Sequence, residues 1–144
     1  IILLREDYMS CKIIAEIGIN HNGDLNLAKE IIEKCATFGC DYVKFQKRTP
    51  DICVPEDQKN KLRSTPWGEM KYIDYKKKIE FGNSQYFEID RYCKDINIKW
   101  FASVWDKQSV DFMKEFKQKD GSVIMKIPSA KIKDIELCKY ARQN

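Results

Sequence analysis

The chain reads as an α/β protein with parallel strands, and two observations predict this. Four short β-branched or apolar runs alternate with four stretches whose apolar residues recur at helical spacing, in the order β-α-β-α-β-α-β-α. Each run also ends in a polar or charged residue, at the strand end where parallel α/β folds gather their chemistry. Four such units joined by right-handed crossovers are the first four β-α units of a (β/α)8 TIM barrel, a half barrel. A small open four-stranded sheet is the alternative arrangement.

Lys12 to Ile19 is the first predicted strand, β-branched at Ile13, Ile14 and Ile17. Asp24 is placed to cap the helix that follows, whose apolar face is Leu27, Ala28, Ile31, Ile32, Cys35 and Ala36, and Gly39 ends it. Asp41 to Gln46 is the second strand. From Lys47 to about Tyr72 the chain holds Pro50, Pro55, Pro66 and Gly68 and reads as a long irregular loop, a functional cover or an insert. A short helix is expected between Met70 and Phe81, then a longer one capped by Ser84 and carrying Tyr86, Phe87, Ile89 and Cys93. Ile98 to Ser103 is the third strand. Asp106 caps the helix bearing Val110, Phe112, Met113 and Phe116. Gly121 precedes the fourth strand, Ser122 to Ile127, and a last helix runs from about Ile132 to Arg142.

At 144 residues the chain fits one domain, and its 43% apolar and 33% charged content suits a globular core. Nothing approaches the roughly 18 apolar residues of a membrane span. Residues 1–8 precede the first methionine, Met9, and are expected to be upstream read-through, leaving 9–144 as the domain. Six scattered cysteines without a Cys-x-x-Cys pair, beside a single histidine, exclude zinc-site spacing and favour a reduced, cytoplasmic setting. The net charge of +4 is mild, and the lysines between Lys59 and Lys78 are interleaved with acids, as on a solvated loop rather than a nucleic-acid surface.

Side chains alternate along a strand, so each strand end can be examined for what shares a face. The first strand places Ile14, Glu16 and Gly18 together; the second, Lys44 and Gln46; the third, Phe101 and Ser103; the fourth, Ile124 and Lys126, with Ser129 just after Pro128. A carboxylate at the end of a buried strand is either satisfied by its own turn or functional. Two lysines and two hydroxyls beside it point to a site for a small phosphorylated or carboxylated anion, with Glu16 as a candidate acid or base. His21 reads as a turn residue bonded to nearby backbone, with substrate polarisation or metal binding as the alternative.

Three segments, AEIGINHNGD (15–24), DYVKFQ (41–46) and KIPSAK (126–131), resemble the N-terminal half of the N-acetylneuraminate (sialic acid) synthase family, over nearly all of the chain from Cys11 onward. The resemblance implies a barrel enzyme that condenses phosphoenolpyruvate with an N-acetylated hexose such as N-acetylmannosamine, using a divalent metal (Mn2+ or Mg2+). C3 of phosphoenolpyruvate attacks the sugar aldehyde, water adds at C2 and phosphate leaves. It makes Glu16 the general acid/base, gives Lys44, Lys126 and Ser129 the phosphate and carboxylate of phosphoenolpyruvate, gives Gln46 the sugar, and puts Ser103 near the phosphate.

Three departures from the family pattern stand out. Ser103-Val104-Trp105 replaces Ser-Thr-Pro, losing a phosphate-binding hydroxyl, and Lys131 replaces a sugar-contacting glutamate, so the acceptor sugar is open. The family's metal-binding histidines and its C-terminal antifreeze-like domain, which completes the site of a partner subunit in a homodimer, have no counterpart in these residues. A half barrel would leave two sheet edges open, so a fragment of a longer enzyme, inactive alone, is expected. A synthase of another keto-sugar acid, such as 3-deoxy-octulosonate phosphate, is an alternative, for which Lys47, Arg48 and Lys131 would form a second anion pocket. A non-catalytic anion-binding half-barrel module is the other.

Overall fold

The computed structural model describes residues 11–144, so the expectation for residues 1–8 and a start at Met9 lies outside the described residues. Four parallel strands form one sheet in the order β1 (Ile14–Gly18), β2 (Tyr42–Lys47), β5 (Lys99–Val104) and β6 (Met125–Lys126). Neighbours in the sheet are therefore successive parallel strands of the chain, as in a barrel wall. The register puts Glu16 beside Lys44 and Lys44 beside Phe101; one pleat further along, Gln46 is beside Ser103 and Ser103 beside Lys126.

One face of this sheet carries the core. Val43, Phe45, Trp100, Ala102 and Val104 are buried there together with Ile17. They pack under Ala28 and Ile32 of α1 (Leu25–Thr37), Tyr86, Ile89 and Cys93 of α5 (Asn83–Asp95), Val110, Phe112 and Met113 of α6 (Lys107–Met113), and Leu137 of α7 (Ile135–Gln143). Tyr86 stacks on Trp100 at 5.5 Å and meets Phe112 edge-on at 5.2 Å, so rings fill the centre of the layer. The other face of the sheet carries the polar strand-end residues.

The caps follow the sequence reading at three places. Asp24 accepts from the backbone N–H groups of Asn26 and Leu27, Asp106 accepts from that of Ser109, and Gly39 takes up φ +79° after α1. Four expectations are corrected. The supposed loop from Lys47 to Tyr72 is structured: α2 (Pro50–Cys53) and α3 (Glu56–Lys59) lead into an antiparallel hairpin of β3 (Leu62–Thr65) and β4 (Gly68–Lys71), and then α4 (Tyr72–Ile79). Helix α5 starts at Asn83 behind Gly82, whose N–H is held by the Gln85 side chain at 3.0 Å, and Ser84 lies inside the helix.

Strand β6 is two residues long. Ser122 is drawn out of the ladder because its N–H and hydroxyl bond to Asp120 and its carbonyl accepts from the Gln118 N–H, while Pro128 has no N–H to extend the ladder. A 3-10 turn, Ser129–Lys131, precedes α7, which starts behind Asp134 rather than at Ile132. In the hairpin region Lys59, Lys61 and Lys77 pair with neighbouring acids, as on a solvated face, whereas Lys76 is buried with Tyr72 and Tyr75 each 5.1 Å from its ammonium. None of the six cysteines is bonded to another. Among the described residues no helix is long and apolar enough to cross a membrane.

Candidate active site

Period-two alternation delivers Glu16, Lys44, Ser103 and Lys126 to the same face of four adjacent strands. Glu16 sits between the two lysines: one carboxylate oxygen is 3.6 Å from Lys44 Nζ and the other 3.4 Å from Lys126 Nζ. Lys44 is 3% exposed and donates to Ser103 Oγ at 3.0 Å. Having accepted that bond, the Ser103 hydroxyl keeps its proton to donate elsewhere.

The charges interact as their spacing requires. Lys44, and then Lys126, hold the Glu16 carboxyl below its ordinary range. Burial pushes the Lys44 ammonium down, Glu16 pulls it back up, and Lys126 presses it down again. Two cations around one carboxylate leave a net positive charge at the open end of the strands.

The Gln46 amide lies next to this cluster. The Arg48 guanidinium donates to Gln46 Oε1, and Tyr86 OH donates to the Gln46 carbonyl at 2.8 Å. Arg48 continues the inner row of β2, two residues beyond Gln46, and is held by Glu80: its backbone N–H donates to Glu80 Oε1 at 3.1 Å, and its Nε lies 3.6 Å from Oε2. Lys47 also reaches Glu80 Oε1, at 3.0 Å. Burial raises the Glu80 carboxyl, opposed by Lys47 and Arg48.

Ser129 and Lys131 fall outside this constellation. Ser129 is exposed in the 3-10 turn. Lys131 pairs with Asp134 at 3.6 Å and lines a separate hollow of about 360 Å³ floored by Trp105, Asp106 and Leu137. His21 is a turn residue, as expected: it is 2% exposed, its Nδ1 accepts from the Gly23 N–H at 3.1 Å, and its ring stacks on Phe81 at 3.9 Å.

The residues do not fit a metal. Among the described residues no group of three or more histidine, cysteine or carboxylate side chains converges. Glu16 is engaged by two lysines, and His21 Nδ1 by a backbone N–H.

Arg48 and Glu80 are neighbours of the cluster that strand-end reasoning leaves out of the central site. The sequence does carry a signal for Arg48, since the Lys44, Gln46, Arg48 alternation continues one step past the predicted strand end. Glu80 has no such signal, because it lies 32 residues away in sequence between two helices.

The fold is a parallel β/α sheet of the barrel type, with two lysines, a carboxylate and a hydroxyl gathered at its strand ends. The chain belongs to the NeuB family, whose profile matches residues 31–144. It is 38% identical over 136 residues to the N,N'-diacetyllegionaminic acid synthase of Campylobacter jejuni, covering 92% of this chain and 39% of that protein. It is 36% identical over 107 residues to the human N-acetylneuraminate-9-phosphate synthase, covering 73% of this chain and 30% of that one. A solved N-acetylneuraminic acid (sialic acid) synthetase from Leptospira borgpetersenii superimposes with a TM-score of 0.75 at 29% identity, over 91% of this chain and 40% of that one. The chain thus spans 40% or less of the length of each of these relatives.

Proposed function

We propose that this sheet forms the phosphoenolpyruvate end of a synthase that condenses phosphoenolpyruvate with an N-acetylated hexose, N-acetylmannosamine or a relative, to give a nonulosonic acid and free phosphate. The observation that carries this reading is the Lys44–Glu16–Lys126 triad with the Ser103 hydroxyl beside it. Phosphoenolpyruvate brings a phosphate and a carboxylate, and two ammonium groups with one hydroxyl donor match that pair of anions.

Lys44, fixed by burial and by Ser103, orients the anion, and Lys126, more exposed, closes on it from the far side of Glu16. Anion binding weakens the hold of the lysines on Glu16, which then has a free carboxylate oxygen for a proton. C3 attacks the aldehyde carbon, whose oxygen becomes an alkoxide, and water adds at C2. The ionised Glu16 takes one proton of that water and passes it to the alkoxide. As the C2–O bond to phosphate breaks, the remaining C2 hydroxyl proton leaves with the phosphate, whose charge the lysines balance. The acceptor sugar lies against Gln46. The 144 residues alone are expected to bind phosphoenolpyruvate without turning it over, since the family members matched are far longer.

Calorimetric titration of the folded chain with phosphoenolpyruvate tests the anion site. Lys44→Ala and Lys126→Ala are each expected to weaken binding at least tenfold, a loss of about 1.4 kcal/mol or more per charge-assisted contact. Unchanged affinity in both removes the assignment. In the catalytically active protein, Glu16→Gln is expected to cut turnover by about two to four orders of magnitude while sparing phosphoenolpyruvate binding; wild-type turnover removes the base.

A further inference from the structure

We infer that Arg48 is a positioning residue that locks the Gln46 amide with its N–H₂ edge toward the acceptor, so that the site selects a sugar presenting a lone-pair oxygen, an N-acyl carbonyl or a hydroxyl, at that point. The inference rests on the proposed function and deepens it, by assigning one determinant of acceptor choice.

A guanidinium has only donors, so the amide atom that faces it must be the oxygen, and Arg48 does donate to Gln46 Oε1. The amide nitrogen is thereby turned the other way, across the gap to β1, where a Cβ at Gly18 would lie 3.5 Å from Nε2. Gly18 adopts φ +59° and has no side chain, so the nitrogen meets bare backbone on that side. Flipping the amide would set N–H₂ against guanidinium N–H groups, donor against donor, and is disfavoured.

The lock holds only if Arg48 itself is held, and it is clamped on three sides. Its backbone N–H donates to Glu80 Oε1, its Nε lies 3.6 Å from Glu80 Oε2 as an ion pair without a hydrogen bond, and its guanidinium lies 4.8 Å from the centre of the Trp105 ring, with the residue 7% exposed. Tyr86 OH fixes the Gln46 carbonyl, so the backbone carrying the amide is pinned as well. Trp105 stands where the resembled family motif ends in proline. The Trp105 ring is the platform on which Arg48 rests.

A residue that acts through Gln46 should lose its effect once Gln46 is gone. In the catalytically active protein, Arg48→Met is expected to raise KM for the N-acetylated acceptor about tenfold, with kcat and KM for phosphoenolpyruvate within about threefold of wild type. Gln46→Met is expected to do the same, and the double variant to be no worse than either single one. Arg48→Lys, which keeps a donor beside Oε1, should recover most of the acceptor KM and guards against misfolding of the methionine variant. Multiplying effects in the double variant would overturn the inference, as would a loss confined to phosphorylated acceptors, which would make Arg48 a direct anion ligand. Parallel loss of both substrates with a lowered Tm would overturn it too, by reducing Arg48 to a structural role. Absence of turnover with every N-acetylated hexose would instead refute the proposed function on which the inference rests.

Discussion

The buried His21 should make this fold acid-sensitive. Burial lowers its pKa from 6.5 to about 4, partly offset by a hydrogen bond with the Gly18 backbone. Above pH 6.5 neither the folded nor the unfolded chain protonates this imidazole. Between the two values only the unfolded chain does, so stability falls as pH falls, and below about 4 the loss is complete. The full shift corresponds to about 3 kcal/mol, of which about 2.5 kcal/mol is already lost at about pH 4.5. That is a large share of the stability of an ordinary domain.

Urea unfolding of wild type and His21→Asn at about pH 7 and about pH 4.5 isolates this contribution. Asparagine keeps an acceptor for the Gly23 N–H, as in an Asx turn, and carries no titrating group. It gives up the ring stacked on Phe81, so at neutral pH the variant should be less stable by about 1–2 kcal/mol. In acid the order should close or reverse, because wild type alone loses the further ~2.5 kcal/mol and the carboxylates common to both chains cancel in the difference. An equal gap at the two pH values would refute the argument, since it would mean that His21 titrates alike in both states.

Two further substitutions test the supports of the site. Gly23→Ala should be among the most damaging single-methyl additions, because Gly23 has φ +74° and the new Cβ would lie 2.5 Å from the Lys78 carbonyl oxygen in α4; a loss of about 3 kcal/mol or more in thermal or urea unfolding is expected, and a near-neutral variant would show that the first turn does not lie this close to α4. Asp106→Ala removes the acceptor for the Thr49 and Ser109 N–H groups, at 2.7 and 2.8 Å, and for the Cys53 thiol at 3.1 Å; about 3 kcal/mol should be lost. Burial alone would raise the Asp106 carboxyl, but those donors together hold it low, so its stabilisation is present at neutral pH and is lost as pH falls through the folded value. The deficit of Asp106→Ala should therefore narrow in acid.

The parts of the fold that are legible in the sequence are legible through its periodicities. Lys44 alternates with Val43 and Phe45, and Ser103 with Ala102 and Val104, so the inner row of the sheet can be read from residue order alone. Asp24 and Asp106 announce their helices by residue type and position. The segment from Lys47 to Tyr72 hides its structure for the opposite reason. Helices α2 and α3 are four residues each, too short for a helical period to appear. In the hairpin, Leu62–Thr65 and Gly68–Lys71 are largely exposed on both sides, so no apolar alternation marks them. Strand logic extended beyond Pro128 would carry Ser129 and Lys131 to the site, but a 3-10 turn replaces the strand there and its period no longer decides direction.

The same alternation separates stability from function on these strands. In β2 the odd-numbered residues Val43 and Phe45 are wholly buried under the helices, while the even-numbered Lys44 and Gln46, followed by Arg48, build the site. A slip of β2 by one residue would drive Lys44 into the helix-facing layer and set Phe45 beside Glu16, so the register must be held firmly. It is held from the core side, by Phe45 packed edge-on against Tyr86 and Trp100 and by the Tyr86 hydroxyl on the Gln46 carbonyl. Tyr86 therefore belongs to the core by burial and to the site by its one hydrogen bond. Tyr86→Phe, which removes only the hydroxyl, is where the two roles would first come apart.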